Sequence, residues 1–153
     1  MPVALGSALF HAAISLLVLF AFILAIHGFI PWTALLLPLV IAPFCLMILG
    51  LSWFLASLGT YVRDVGQILG TIVTAMMFLS PIFFPLSALP EWLQPWLMLN
   101  PIALPVTQAR DVLIFGNLPD FFALGLYTIV AAAIAWLGYL WFEKTRKGFA
   151  DVL

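Results

Sequence analysis

Residues 1–62 read MPVALGSALFHAAISLLVLFAFILAIHGFIPWTALLLPLVIAPFCLMILGLSWFLASLGTYV, and their composition determines the class of fold. This stretch contains no Asp, Glu, Lys or Arg, and only 7% of the whole 153-residue chain is charged, whereas 66% is hydrophobic. Soluble globular domains carry about 25% charged residues. A water-soluble fold is therefore excluded, and this stretch belongs in lipid.

Four apolar stretches are long enough to cross a bilayer as helices, since a hydrocarbon core of about 30 Å takes about 20 helical residues. They are residues 5–27, 33–58, 65–84 and 121–142. Residues 28–32, with Pro31, are predicted to be a tight connection that makes a hairpin of the first two spans. Pro38 and Pro43 are predicted to kink or tilt the second span. We therefore predict an all-α polytopic membrane protein, with residues 1–153 forming one transmembrane domain.

Residues 85–120, here called the outer segment, differ from the four spans. They contain six prolines and yet remain rich in Trp, Leu and Phe, so they do not read as a solvated loop. Residues 102–115 would form a helix of about 21 Å, which is too short to span a bilayer. We therefore predict two short re-entrant helices, residues 91–99 and 102–115, broken at Asn100-Pro101. Such backbone is tolerated inside a membrane only where protein or a water-filled cavity surrounds it.

The basic residues predict the orientation, because short cytoplasmic loops carry an excess of Lys and Arg. Arg63 lies between the second and third spans, and a basic cluster follows the last span; it comprises Lys144, Arg146 and Lys147. The remaining basic residue, Arg110, lies in the outer segment. Four spans with both termini in the cytoplasm satisfy the rule.

Several functional classes are excluded by missing motifs. The chain has no GxxxxGK[ST] phosphate-binding loop, no HExxH and no paired-cysteine metal spacing, so we expect no catalytic residue, metal or other cofactor bound by this chain, and no ATP hydrolysis by it alone. The formal net charge is -1, and no long basic run suggests a nucleic-acid partner. The single cysteine, Cys45, reads as a small buried hydrophobic residue.

Three polar residues form the candidate site on the cytoplasmic side: Arg63, Asp64 and Gln67. Asp64 lies where the third span begins, so it either caps that helix or contributes to contact with a cytoplasmic partner. A row of small residues, Gly66, Gly70 and Thr74, follows on the same helix and is typical of close helix packing.

Aromatic residues crowd the predicted outer boundary, where they form either an interfacial belt or a lining on which sugar rings stack. The candidates are Phe83, Phe84, Trp92, Trp96 and Phe115. Arg110 leaves a similar pair of alternatives open. It forms a local ion pair with Asp111, or it acts in an outer gate or contacts a lipid phosphate.

Several ordered motifs resemble the C-terminal part of type-2 ABC export permeases, and specifically the branch that exports lipopolysaccharide, O-antigen, capsule and teichoic acid. They are RDVGQI at 63–68, FLSPIFFP at 78–85, LPE at 89–91, LNP at 99–101, Arg110, and the tail FEKTRKGFADVL at 142–153. The resemblance implies that this chain supplies the last four of six spans and that residues 91–115 are periplasmic gate helices. It also implies that the family's N-terminal amphipathic helix and first two spans are missing here.

The resemblance further implies a bacterial inner-membrane exporter. Two permease copies would enclose a channel for a lipid-linked polysaccharide, and a separate ABC ATP-binding subunit would hold ATP and Mg²⁺. Arg63, Asp64 and Gln67 would then lie near that ATPase. Phe83, Phe84, Trp92, Trp96, Arg110 and Phe115 would form the glycan path or gate. A permease for drugs or small amphiphiles, and a membrane scaffold that transports nothing, are the alternatives.

Overall fold

The computed structural model describes residues 2–62, 64–82 and 88–146. Every regular element in these ranges is helical, which confirms the all-α prediction. The elements are α1 (Pro2–His27), a 3₁₀ turn (Trp32–Leu36), α2 (Leu37–Tyr61), α3 (Val65–Phe78), α4 (Gln94–Met98), α5 (Ala103–Arg110), a π-helical turn (Asp111–Phe115) and α6 (Phe121–Thr145).

Among the residues that the structure describes, three helical stretches are long and apolar enough to cross a membrane. They are Gly6–Ile26, Trp32–Tyr61 and Phe121–Thr145. The remaining predicted span is shorter than expected, because α3 has 14 residues, or about 21 Å, and ends at Phe78. Pro81 explains this early end, since proline has no N–H to continue the helical ladder. The rest of the predicted third span includes Phe83 and Phe84, which lie outside the described residues.

The connection between α1 and α2 is as short as the sequence predicts. Gly28 has a φ of 73° and donates its N–H to Leu24 at 3.0 Å, so it ends α1 in the left-handed conformation that glycine tolerates. Pro38 lies in the first turn of α2, where its missing N–H removes no helical bond. The expectation that Pro38 removes a helical hydrogen bond is therefore wrong. Pro43 is buried inside α2 and does remove one such bond.

α2 and α6 form the central pair of the molecule, and they run parallel. Their first halves meet where Val40 packs with Leu124, and their C-terminal ends meet where the Tyr61 hydroxyl donates to the Thr145 carbonyl at 3.1 Å. Between these points the two backbones approach closely at Gly50 and Gly138. The C-terminal ends of α2 and α6 therefore lie at the same end of the molecule.

The opposite end carries two small buried clusters. One joins Ala34, Leu37 and Leu113, with Leu16 and Phe20 of α1 packed against it. The other joins Val40, Val112 and Leu124. Each cluster contains a residue of the π-helical turn, so the second half of the outer segment is part of the protein core. α3 is different, because none of its residues is buried.

Candidate functional site

The outer segment contains a break at Asn100, as the sequence predicts. The Asn100 side-chain oxygen accepts from the Ile102 N–H at 3.0 Å, and its backbone carbonyl accepts from the Ala103 N–H at 2.9 Å. These bonds end α4 and begin α5 without an unpaired amide at the turn. The first predicted helix is shorter than expected, because α4 begins only at Gln94, whereas α5 and the π-helical turn together cover almost the whole second predicted helix.

Two hydrogen bonds attach this segment to the rest of the protein, and a third joins its second helix to Asp120, the last residue of the segment and the N-cap of α6. The buried Thr33 hydroxyl donates to the Val112 carbonyl at 2.7 Å. The Tyr127 hydroxyl donates to the Pro101 carbonyl at 2.8 Å. The Gln108 side-chain oxygen accepts from the Asp120 N–H at 2.8 Å. Each bond satisfies a backbone group that has no partner within a helix. Lipid offers no hydrogen bond to such a group, so each bond stabilises the segment.

The π-helical turn ends the segment and leads directly into α6. Gly116 takes a φ of 67°, and the Asn117 N–H returns to the Asp111 carbonyl at 3.0 Å. Asp120 then caps α6, because its carboxylate accepts from the N–H groups of Phe122 and Ala123 at 3.0 and 3.1 Å. Single π-helical turns are often found at functional sites.

Two side chains attach the outer segment to the end of α3. The Asn100 amide donates to the Met76 carbonyl at 2.7 Å. The Arg110 guanidinium donates to the Pro81 and Ile82 carbonyls at 2.7 and 3.1 Å. The expected ion pair of Arg110 with Asp111 is therefore wrong. In residues 64–82 and 88–146 the ion pair that forms is Arg146 with Glu143, at 3.4 Å on the exposed end of α6.

The aromatic candidates of the outer segment lie on its surface. Trp92, Trp96 and Phe115 are 71%, 69% and 63% exposed. Trp96 also lines an apolar groove of about 560 Å³ between α3 and α4. Both an interfacial belt and a glycan path need exposed rings, so both alternatives stay open. Phe83 and Phe84 lie outside the described residues.

At the other end of α3, Asp64 and Gln67 are both exposed, and Arg63 lies outside the described residues. Asp64 immediately precedes α3, but its side chain accepts no hydrogen bond from the helix. The expectation that it caps the third span through its side chain is therefore wrong. Exposure leaves Asp64 and Gln67 available to a partner.

The close helix contact that the sequence places on α3 occurs elsewhere. A Cβ added to Gly66 or Gly70 would meet nothing within 4 Å. A Cβ added to Gly50 would lie 2.5 Å from the Cα of Ala135, and one added to Gly138 would overlap the Gly50 carbonyl. The signal that could have identified this contact is the spacing of Ala131, Ala135 and Gly138, which places small residues on one face of α6.

Sequence reasoning also missed the polar residues that hold the outer segment in place: Thr33, Gln108 and Tyr127. Thr33 and Tyr127 lie in apolar stretches, and Gln108 lies among the polar residues Thr107, Arg110 and Asp111, so no pattern distinguishes the three. Polar groups within membrane spans tend to face the protein interior. That rule could have selected Thr33 and Tyr127, although it does not identify their partners.

Comparison with known proteins gives a family match over most of the chain. Residues 1–114 match the model of the ABC-2 type transporter family. The chain is also 28% identical over 122 residues to the O-antigen export system permease protein RfbA of Myxococcus xanthus. That alignment covers 78% of this chain and 47% of the relative, so the chain spans about half the length of the curated relative. No solved structure matches.

Proposed function

Since this chain belongs to the ABC-2 type transporter family, we propose that it is a permease subunit of the polysaccharide-export branch, and that it moves a lipid-linked glycan of the O-antigen or lipopolysaccharide type across the bacterial inner membrane. The observation that carries the substrate class is the similarity to an O-antigen export permease over 78% of the chain. The motifs at residues 63–68, 78–85 and 99–101 add support from the same branch.

The membrane subunit of such a transporter needs an ABC ATPase, which would bind ATP and Mg²⁺ and supply the energy. We place that partner at the end of the molecule where α2 and α6 both terminate, because the Tyr61–Thr145 contact brings these ends together. Lys144 and Arg146 lie there, and the positive-inside rule makes this end cytoplasmic. Asp64 and Gln67, with Arg63 beside them in sequence, are the proposed coupling residues.

The outer segment is the proposed exit gate, with a second permease copy completing the channel. Its backbone breaks at Asn100 and yet is satisfied by protein groups, as non-helical backbone at membrane depth must be. The exposed rings of Trp92, Trp96 and Phe115 are the proposed guides for sugar, together with Phe83 and Phe84 from the preceding residues. Flat apolar faces of this kind stack on other flat apolar faces.

The proposed orientation is tested by thiol labelling in intact cells, with Cys45 replaced by Ala. Single cysteines at Asp64 and Lys144 should react with a membrane-impermeant reagent only after the membrane is opened, whereas one at Asn117 should react from outside. Opposite behaviour of Asp64 and Lys144 would contradict the shared end. Reaction of both in intact cells, with Asn117 protected, would invert the orientation.

The glycan path is tested in cells that contain the complete transporter with its ATPase, by comparing surface polysaccharide with the amount of permease. Trp92→Leu, Trp96→Leu and Phe115→Leu each keep apolar area but remove a flat ring. Because aromatic contacts are worth about 0.5–1.5 kcal/mol, each change should slow export about two- to ten-fold. The triple variant should nearly stop export.

The matched control is Trp32→Leu, since Trp32 is 67% exposed and lies close to the outer segment in the chain's fold without belonging to it. A Cβ added to Gly116 would lie 3.5 Å from the Cβ of Pro31, the neighbour of Trp32. If the triple variant and Trp32→Leu both export normally, the rings are an interfacial belt. Transport of small amphiphiles without glycan export would favour the drug-permease alternative, and the absence of any transport would favour a scaffold.

A further inference from the structure

The C-terminal end of α3 has an unusual backbone pattern that begins with Pro81. In a regular helix, the Met77 carbonyl would accept from the N–H of residue 81, but proline has none. The Ser80 N–H donates to Met77 at 3.2 Å instead. The Met76 carbonyl, which would normally accept from Ser80, therefore loses its helical partner.

Asn100 supplies the donor that this carbonyl lacks. Its amide lies 2.7 Å from the Met76 oxygen, while its side-chain oxygen holds the Ile102 N–H. Asn100 is half-buried, and both Asn100 and Met76 line the apolar groove between α3 and α4. One side chain thus joins the end of α3 to the break in the outer segment.

Arg110 makes a second connection, one turn beyond the first. The Pro81 and Ile82 carbonyls follow the end of α3 in the chain, and the Arg110 guanidinium donates to both. A guanidinium can bind two neighbouring carbonyls at once, because it carries several N–H donors in a fixed planar arrangement. Arg110 is also fixed on its own side, since Val112 and Leu113, just after it, are buried in the core.

These two contacts matter because no residue of α3 itself is buried, so that the helix is anchored just beyond its C-terminal end, where Ser80 and Pro81 are buried. We infer that Asn100 and Arg110 are positioning residues that clamp the end of α3 to the outer segment, so that a displacement of α3 is transmitted to the exit gate. This inference rests on the proposed function. In the proposed function, α3 begins directly after the cytoplasmic coupling residue Asp64 and ends beside the clamp. α3 therefore connects the coupling residues to the exit gate.

The clamp is tested first by cross-linking in membranes that contain the full chain, with Cys45 replaced by Ala. Cysteines at Ala75 and Leu93 face the same groove from α3 and from the outer segment. A short bifunctional thiol reagent should join them efficiently. Asn100→Leu should lower the yield about three- to ten-fold, the range expected for loss of a hydrogen bond within a membrane. Asn100→Gln, which keeps the amide donor, should restore most of it.

The matched control is Asn117→Leu, which removes an exposed asparagine of the same segment and should leave the yield unchanged. Arg110→Gln should also lower the yield. The neutral glutamine amide cannot form the two charge-assisted hydrogen bonds that Arg110 makes to the Pro81 and Ile82 carbonyls. An unchanged yield in both clamp variants, at normal protein abundance, would overturn the inference.

Pro81→Ala separates a positioning role from simple satisfaction of a carbonyl. It restores an N–H at position 81, so that Met77 can regain its helical donor and Ser80 can return to Met76. The Asn100→Leu/Pro81→Ala double variant should therefore recover protein abundance but not cross-linking. If protein abundance and cross-linking yield both recover to the level of the single Pro81→Ala variant, Asn100 only satisfies the carbonyl at the end of α3. That result would overturn the inference of a clamp.

Glycan export is measured in parallel with the ATPase present. The clamp predicts that the double variant, although abundant, exports several-fold less glycan than Pro81→Ala alone. Normal export by the double variant would contradict the transmission of movement through Asn100. If the unmodified transporter exports no glycan, the proposed function fails, whereas the cross-linking yields still decide whether the clamp exists.

Discussion

α2 and α6 meet at the level of their backbones, whereas α3 is held through side chains at its end. At the α2–α6 contact, Gly50 and Gly138 leave no room for a Cβ, and Ala131 and Ala135 are buried beside them. Along α3, Gly66 and Gly70 have open space around them, and no residue is buried. Both regions carry small residues at helical spacing, but only one uses them for packing.

Helices in a membrane associate by other means than the hydrophobic effect, which is weak between them. Lipid is as apolar as a leucine side chain, so close packing and hydrogen bonds decide which helices associate. α2 and α6 use close packing, which fixes their relative position over many turns. α3 uses the bonds from Asn100 and Arg110, which fix one end only. The first arrangement suits a rigid body, and the second suits a helix that moves against it.

The largest effect is expected from filling the α2–α6 contact. Gly138→Leu places a branched side chain where even a Cβ overlaps the Gly50 carbonyl. Overpacking of this kind should destabilise the protein by about 3 kcal/mol, at the upper end of the usual range, because backbone must move. The measurement is thermal unfolding of the chain in detergent.

Gly125→Leu is the control for this change, because it lies on the same helix and a Cβ there would meet nothing within 4 Å. It should unfold within a few degrees of the unmodified chain. Equal destabilisation by both variants would show that α6 tolerates no added volume anywhere, and the comparison with α3 would lose its basis.

The parts of the fold that the sequence predicts correctly depend on length and on proline. Charge-free stretches longer than about 20 residues can only be spans, so α1, α2 and α6 follow from composition. The break between α4 and α5 follows from Asn100-Pro101, because the residue before a proline is disfavoured in a helix. Pro81 ends α3 in the same way, but the span was predicted to run on to residue 84 because the apolar run continues past Pro81.

The parts that the sequence could not predict depend on contacts between distant residues. For Arg110 the sequence left open a local ion pair with Asp111 or a role in an outer gate or lipid contact, and neither alternative identifies the carbonyls 28 and 29 positions away that it bonds. The small-residue row on α3 looked as suitable for packing as the small residues of α6. Only the arrangement of the other helices decides which row is covered, and a single sequence does not contain that arrangement.

A second prediction compares two aspartates that each precede a helix. Asp120 has extended backbone (φ −71°, ψ 98°) and caps α6, whereas Asp64 has helical backbone (φ −76°, ψ −14°), which directs its side chain away from the α3 amides. Asp120→Ala should lower stability by about 1 kcal/mol, and Asp64→Ala by a few tenths at most. Urea or thermal unfolding of both variants measures the difference. A larger loss at Asp64 would contradict the uncapped start of α3.

A third prediction concerns the link between the rigid pair and the outer segment. Tyr127→Phe keeps the ring and removes the hydroxyl that donates to Pro101 and lies 3.3 Å from the Met47 sulfur. Membrane hydrogen bonds average about 0.6 kcal/mol, so the unfolding temperature should fall slightly. The control is Tyr139→Phe, since the Tyr139 ring packs edge-on against Trp53 at 5.5 Å and the substitution keeps that ring contact. A loss that is equal in the two variants would remove any special role for the Tyr127 hydroxyl.

The smallest effect is expected on α3 itself. Gly70→Leu adds a large side chain where a Cβ would meet nothing within 4 Å, so it should change the stability of the isolated chain by about 0.5 kcal/mol or less. The same glycine-to-leucine replacement at position 138 should strongly destabilise the protein. The two variants therefore compare the two helices directly. If Gly70→Leu destabilises the isolated chain as strongly, α3 packs against the rest of the protein along its length, and a helix held only at its end is the wrong description. If the isolated chain is unaffected but self-association in membranes decreases, the row on α3 contacts a second copy of the permease, which agrees with a helix that the rest of its own chain leaves uncovered.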